Sequence, residues 1–305
     1  MLRSILTLLS CFATLTAFVP PAFAYDRITV LVGNSSNTSD EFIREFKGRL
    51  GNRSGLQFSV RDIADSSAYS LDQGTLIVAV GVQALQHAVR QSGNHAVLGV
   101  LIPQPAFEKI SASARNDNLS AILLDQPPTR QMRLLHMLLP KAKNVGILLG
   151  PTSTRNNELL TRAAADSGLK AVMATIQRES DLSPALKPLL ELSDALLAAP
   201  DPLVHQPSTA QTLLLTSYRY QKPVIGYSQA YVTAGALAAV YSSPADIARQ
   251  AAEIADQFPE RQRALPPLQP PRYFSVSTNR QVARSLGLDF QDAESLTESL
   301  RKEEQ

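Results

Sequence analysis

Near-continuous apolar runs of strand length punctuate the chain at 28–33 (ITVLVG), 56–63, 75–81 (TLIVAVG), 96–102 and 119–124. They recur at 144–150 (NVGILLG), 170–176, 195–199, 223–227 and 236–241. Runs without polar alternation suit strands covered on both faces, as in a parallel sheet flanked by helices. Helical periods lie between them. Phe42, Ile43, Phe46 and Leu50 share one helical face, as do Leu159, Leu160 and Ala163, and Ile247, Ala251, Ile254 and Phe258. Thr38 with Glu41 is the expected capping box of the first of these helices. Strand and helix alternate, which predicts an α/β fold with right-handed crossovers.

A weak internal repeat divides the chain. "VLVGNSSNTSDEFIREF" from Val30 and "ILLGPTSTRNNELLTRA" from Ile147 each run from an apolar strand through a Gly to Ser/Thr/Asn residues and an amphipathic helix. Gly33 and Gly150 thus open similar loops, and the expected architecture is two Rossmann-like lobes with parallel sheets and a central cleft. Ligands of such sheets bind beyond the carboxyl ends of the strands, so these loops are expected to line the cleft. Residues 259–272 carry five prolines and read as an extended connector. A short strand (Tyr273 to Ser277) and a helix (Asn279 to Leu286) follow it. The charged tail 291–305 is expected to be frayed or loosely helical.

The first 24 residues stand apart from this pattern. Arg3 precedes a mostly apolar stretch from Ile5 to Val19, and Ala22-Phe23-Ala24 forms an A-x-A site, so a secretory signal peptide cleaved after Ala24 is expected. The only cysteine, Cys11, lies inside that segment, where "LLSC" faintly resembles a lipoprotein box. A mature chain without cysteine has neither disulfide nor thiol chemistry, and it is expected to be soluble and periplasmic. The formal net charge of +2, without a basic run, argues against nucleic acid as a partner.

Candidate chemistry starts at Gly226-Tyr227-Ser228-Gln229-Ala230, one residue short of the G-x-S-x-G elbow of α/β-hydrolases. That fold places its histidine after the serine, but His87, His95, His136 and His205 all precede Ser228. Ala230 replaces the last glycine of the elbow. No H-E-x-x-H, Cys pair, Walker loop or G-x-G-x-x-G is present. Neither an enzyme, a metal site nor a cofactor is expected.

The stretches "LLHMLLPKAKNVGILLGP", "DALLAAPDPLV", "YRYQKPVIGYSQAYVTAGALAAVYS" and "IARQAAEIADQF", between Gln131 and Phe258, resemble the periplasmic substrate-binding proteins of ABC transporters, the family that includes aromatic amino-acid binders. The resemblance implies a type I periplasmic binding fold, with two α/β lobes, three connecting segments and one ligand in the cleft. It divides the chain into lobe 1 (25–125 plus about 236–262) and lobe 2 (126–235 plus about 272–290). Two features depart from the pattern: Gln104 ("LIPQP") replaces an Asp-Pro turn, and the chain has no tryptophan. Candidate ligand contacts are Asn34, Ser35 and Ser36 in one loop and Thr152 and Ser153 in the other, offering amides and hydroxyls to an anionic group. Gln83 is expected to offer an amide, Asp201 a carboxylate, Tyr227 a ring and Ser228 a hydroxyl. The expected function is capture of a small polar or carboxylate-bearing ligand, by a monomer, for an ABC-type importer. The alternative partner is a membrane sensor.

Overall fold

The computed structural model describes residues 27–33, 36–51, 55–65, 75–91, 93–258 and 264–304. The expected leader, with Cys11 and the site after Ala24, falls outside them. β1 (Arg27–Val32), β2 (Gln57–Asp62), β3 (Thr75–Val80), β4 (Ala96–Ile102) and β5 (Leu119–Leu123) form one parallel sheet in the order β2-β1-β3-β4-β5. β6 (Asn144–Leu149), β7 (Lys170–Thr175), β8 (Ala195–Leu197), β9 (Val224–Gly226) and β10 (Ala238–Tyr241) repeat that order as β7-β6-β8-β9-β10. β11 (Ser275–Thr278) joins the second sheet antiparallel to β10. The shared order bears out the repeat, since Gly33 and Gly150 each follow the first strand of their own lobe.

Helices cover both faces of each sheet, as the apolar central strands require. α1 (Asn37–Leu50), α2 (Val82–Gln91) and α3 (Gln104–Ser111) belong to the first lobe. α4 (Pro128–Leu138), α5 (Asn157–Asp166), α6 (Leu182–Glu191), α7 (Pro207–Arg219) and α8 (Gln229–Thr233) belong to the second. α9 (Pro244–Gln257) crosses back to the first lobe, where Ile247, Ala251 and Ile254 pack with Phe42, Phe46 and Leu50 of α1. Each fully buried Phe or Ile is worth about 1.5–3 kcal/mol relative to exposure. The expected cap of α1 is replaced by a reciprocal pair: Ser36 Oγ accepts the Ser39 N–H at 3.2 Å, and Ser39 Oγ accepts the Ser36 N–H at 2.9 Å. Ser36 wins because it is the last extended residue before the turn, which is where a cap must sit.

Two expectations about chain segments change. Residues 236–241, expected in the first lobe, belong to the second sheet, where β10 ladders with β9 and β11, so the chain crosses at 242–243. The charged tail is helical, as one of its two expected states has it, but docked rather than loose: α10 (Arg280–Ser285) is followed by α11 (Ala293–Glu303), capped by Asp292 and held through buried Leu296 and Leu300. Thr297 Oγ1 accepts the Val276 N–H of β11 at 2.9 Å, which ties that helix to the sheet edge.

Three segments link the lobes, at 124–127, 242–243 and along 264–273. The last runs beside β5, where the Gln269 N–H donates to Ala121 O at 3.0 Å and its carbonyl accepts the Leu123 N–H at 2.9 Å. A buried network ties the crossovers together. Gln126 Nε2 donates to Ser242 Oγ at 2.8 Å, and Ser242 Oγ donates to the Tyr273 carbonyl at 2.5 Å. Arg130, 4% exposed, donates to Gln126 Oε1 at 2.6 Å and to the Pro271 carbonyl at 3.0 Å. Its remaining donors meet both oxygens of Glu304 at 2.6 Å, and its guanidinium lies 3.9 Å over the Phe274 ring.

Candidate functional site

The carboxyl ends of both sheets face one cavity of about 290 Å³ between the lobes. The first lobe contributes Pro103 and Gln104 at the start of α3, and Leu124 and Asp125 just beyond β5. The crossover adds Gln126, Pro128 and Gln131. The second lobe contributes Asn156, Leu159 and Leu160 around the start of α5, and Ala199 and Pro200 beyond β8. Tyr227 and Ser228 beyond β9, with Tyr241 and Ser242 at the end of β10, complete the wall. Leu124 (40% exposed) and Leu159 (46% exposed) are large apolar side chains left uncovered on opposite lobes. A larger depression of about 630 Å³ lies on the outer flank of the first lobe, beside Arg90 and Lys109, away from the strand ends. The interlobe cavity is the candidate site because strand ends and helix starts from both lobes converge there.

Asp125 is the acid of this wall. Its Oδ2 accepts the Gln104 N–H at 2.6 Å, so it caps α3 from the neighbouring strand. Burial pushes its carboxyl above the usual aspartate range, against the pull of that hydrogen bond and of Arg155. Gln104 Nε2 donates to Glu108 Oε1 at 2.7 Å, and Glu108 Oε2 pairs with Arg155 of the second lobe at 2.8 Å. That ion pair spans the cleft mouth.

Behind Tyr227 lies an aromatic cluster. His205 and Tyr231 rings sit 5.3 and 5.2 Å from that of Tyr227. The His205 Nδ1 is 2.9 Å from the Tyr231 hydroxyl, and its Nε2 is 2.9 Å from the Ala199 carbonyl. A carbonyl only accepts, so Nε2 carries the proton and Nδ1 accepts the phenol. Burial lowers the imidazole pKa to about 4, which keeps it neutral. Burial also raises the Tyr227 and Tyr231 phenols.

The structure divides the expected contacts. Tyr227 and Ser228 line the cavity. Ser228 Oγ also caps α8 by accepting the Tyr231 N–H at 3.2 Å. Both nitrogens of His205 are committed elsewhere, so Ser228 gains no base from it. Asp201 does not line this cavity. It is 4% exposed, and its Oδ2 accepts from Thr152 N, Ser153 N and Ser153 Oγ at 3.0, 2.8 and 2.9 Å. Its Oδ1 accepts from Leu203 N at 2.9 Å. The carboxylate is therefore a clamp on the loop after β6, and Thr152 and Ser153 are spent on it instead of reaching the cavity. Gln83 packs against Gly33 in the first lobe and Ser36 caps α1, both away from the lining. Asn34 and Ser35 lie outside the described residues.

Residues missed from sequence are Asp125, Gln126 and Gln131, while Gln104, noted there only as a departure from the family pattern, lines the cavity. Asp125 carried the signal that singled out Asp201, an Asp closing an apolar strand just ahead of proline. Among the described residues no group of three or more His, Cys, Asp or Glu could hold a metal, and no helix is long and apolar enough to cross a membrane.

Known proteins place this geometry in context. The family model described as ABC transporter substrate binding protein matches residues 66–264, well over half of the chain. The ligand-free, open structure of a substrate binding protein with adhesive properties from Clostridium difficile is similar over 88% of this chain and 97% of its own, at 17% identity and a TM-score of 0.71. The structure of an ABC domain in complex with L-Trp from Streptococcus pneumoniae is similar over 89% and 98%, at 17% identity and a TM-score of 0.58. A conserved domain protein from Vibrio cholerae is similar over 90% and 98%, at 19% identity and a TM-score of 0.57. No curated protein matches the chain.

Proposed function

The chain belongs to the ABC transporter substrate binding protein family, and from that premise we propose that it is an extracytoplasmic solute-binding protein that captures one small ligand between its lobes for an ABC-type importer. The fold is the two-lobed α/β architecture of type I periplasmic binding proteins, and the family binds rather than catalyses. The observation that carries the reading is the interlobe cavity. Its wall draws side chains from both sheets and from the crossover, so a ligand there contacts both lobes and favours closure over the open state. Tyr227 and Ser228 are the proposed contacts from β9, joined by Asp125, Gln104, Gln126 and Tyr241. The leader over 1–24, removed after Ala24, is proposed to deliver the mature chain to the periplasm, where it acts as a monomer.

A thermal-shift screen of the mature protein tests this. Amines, amino acids, small carboxylates, nucleosides and sugars are each offered at millimolar concentration. A true ligand raises the melting temperature with concentration, since binding to the folded state alone stabilises it by RT ln(1 + [L]/Kd). Saturating ligand also shrinks the radius of gyration. A panel in which no class raises the melting temperature overturns the solute-binding reading.

A further inference from the structure

We infer that the cleft selects a small organic amine with an apolar body and no carboxylate, and that Asp125 is its counter-ion. This rests on the solute-binding reading and narrows it, replacing the expectation of a carboxylate-bearing ligand.

The case begins with charge. Asp125 is the only Asp, Glu, Lys, Arg or His among the residues lining the cavity. The nearby pair of Glu108 and Arg155 cancels itself at 2.8 Å. Arg130, beneath the crossover, has its donors committed to Glu304, Gln126 and the Pro271 carbonyl. Among the described lining residues an anionic ligand finds no spare cation.

Backbone amides at helix starts are the other usual anion holders, and most of those flanking the cavity are consumed, leaving the Thr129, Gln229 and Ala230 N–H groups. At α3 the Gln104 N–H goes to Asp125, Pro105 has no N–H, and the Ala106 and Phe107 N–H groups donate to the Pro103 carbonyl. At α4, Pro127 and Pro128 have none, and the Arg130 and Gln131 N–H groups donate to the Pro127 carbonyl. In the loop before α5, Gly150 N–H donates to Ser153 Oγ, Thr152 and Ser153 N–H to Asp201, Thr154 N–H to Gly150, and Asn156 N–H to Ser153. At α8 the Tyr231 and Val232 N–H groups turn back onto Ser228. A carboxylate moved here from water would exchange its hydration for a few neutral amides, with no unpaired cation among the described lining residues to offset the loss.

An ammonium group fares differently. Besides the Gln104 N–H on Oδ2, the Asp125 carboxylate accepts only its own backbone N–H, which leaves lone pairs for a ligand. Burial already disfavours that carboxylate standing alone, and a bound cation would relieve it. Tyr227 and Tyr241 line the same cavity, and aromatic rings attract cations at their faces. Leu124, Leu159 and Leu160 suit an apolar body. A volume of about 290 Å³ sits at the small end of ligand sites, about 300–1,000 Å³.

The test uses matched probes on one skeleton: phenethylamine, phenylalanine, 3-phenylpropionate and 2-phenylethanol, with isopentylamine and isovalerate as an aliphatic pair. Calorimetry on the mature protein is expected to show the amines binding at least tenfold more tightly than the corresponding acid, amino acid or alcohol. Asp125→Asn keeps an oxygen for the Gln104 N–H while removing the charge. It is expected to retain the unliganded melting temperature and lose at least tenfold in amine affinity. If the acids or phenylalanine bind as well as the amines, the amine inference fails while solute binding stands. The same holds if none of these probes binds but a sugar or nucleoside does. Amine binding that Asp125→Asn leaves within threefold removes Asp125 from the role. A protein that binds nothing in this set or in the wider screen overturns both readings.

Discussion

Asp125 and Asp201 each end an apolar strand just ahead of proline, yet one carboxylate faces the cavity and the other is locked inside the second lobe. The difference lies in what packs opposite. Asp201 meets the loop after β6, where a Cβ on Gly150 would come within 2.2 Å of its Oδ1. Gly150 and Asp201 are thus one unit, and Gly150→Ala must displace the carboxylate and take the acceptor from the Thr152 and Ser153 donors. The expected cost is about 1–3 kcal/mol from overpacking, read as a lowered urea midpoint at unchanged slope. Sequence could not separate these two acids, because the partners of Asp201 stand about fifty positions upstream (Thr152 lies 49 residues away) and only the fold brings them near. Asp125 makes its own prediction. An ammonium ligand binds its ionised form, so affinity holds at neutral pH and falls as pH drops through a titration raised above the aspartate norm. Arg155 and Glu108 are the charges facing it. Calorimetry with phenethylamine between pH 7.5 and 4.5 reads this, and Asp125→Asn flattens the profile. Behind the wall, His205 titrates near 4 when folded, against the ordinary 6.5. Between those values the unfolded chain takes up a proton that the folded chain refuses, so stability is lost as pH falls through that window. The loss is on the order of 3 kcal/mol, and His205→Asn should remove that part of the slope in urea titrations at each pH.

At the scale of elements, the strands were legible because their apolar runs are long and carry no competing helical period. The C-terminal helix was not. In "DAESLTESLRKEEQ" only Leu296 and Leu300 are large and apolar, and the surrounding charge hides a two-residue stripe that suffices to dock α11. What fixes its end is Glu304, whose two oxygens meet the buried guanidinium of Arg130 at 2.6 Å. A buried charge stripped of its counter-ion is strongly destabilising, whereas the exposed pair of Glu303 with Arg133, at 3.8 Å, is worth little. Glu304→Gln is therefore expected to cost roughly 3 kcal/mol, and Glu303→Gln under about 0.5 kcal/mol. Denaturant unfolding of the two variants side by side checks it. Equal losses would mean that the guanidinium draws its compensation from Gln126 and the Pro271 carbonyl alone. The placement of β10 was also beyond sequence reading, since an apolar strand carries no mark of the sheet it joins. Its register with β9 and β11 decides that question.

At the scale of the whole molecule, the lobes meet through two kinds of contact with different consequences. The crossover network of Gln126, Ser242, Arg130 and the carbonyls of Pro271 and Tyr273 is buried, and it ties the three connections to one another. The Arg155–Glu108 pair across the cleft mouth is exposed, with side chains 42% and 41% accessible. Exposed pairs contribute about 0–1 kcal/mol and are screened by salt. That is too little to hold the cleft shut, since moving a two-state equilibrium from mostly open to mostly closed takes about 5.5 kcal/mol. Closure must come chiefly from a ligand that touches both walls, with the ion pair only biasing the approach. Arg155→Gln is accordingly expected to leave the melting temperature of the unliganded protein unchanged and to weaken ligand binding by no more than about fivefold at low salt. In about 1 M NaCl, where the screening length is near 3 Å, wild type and variant should bind alike. Small-angle scattering adds a ligand-free readout: the variant should be more open than wild type at low salt and coincide with it at high salt. A tenfold or greater loss that survives high salt would instead assign Arg155 a direct contact with the ligand, and with it a place for the anionic group that the inward wall of the cavity lacks.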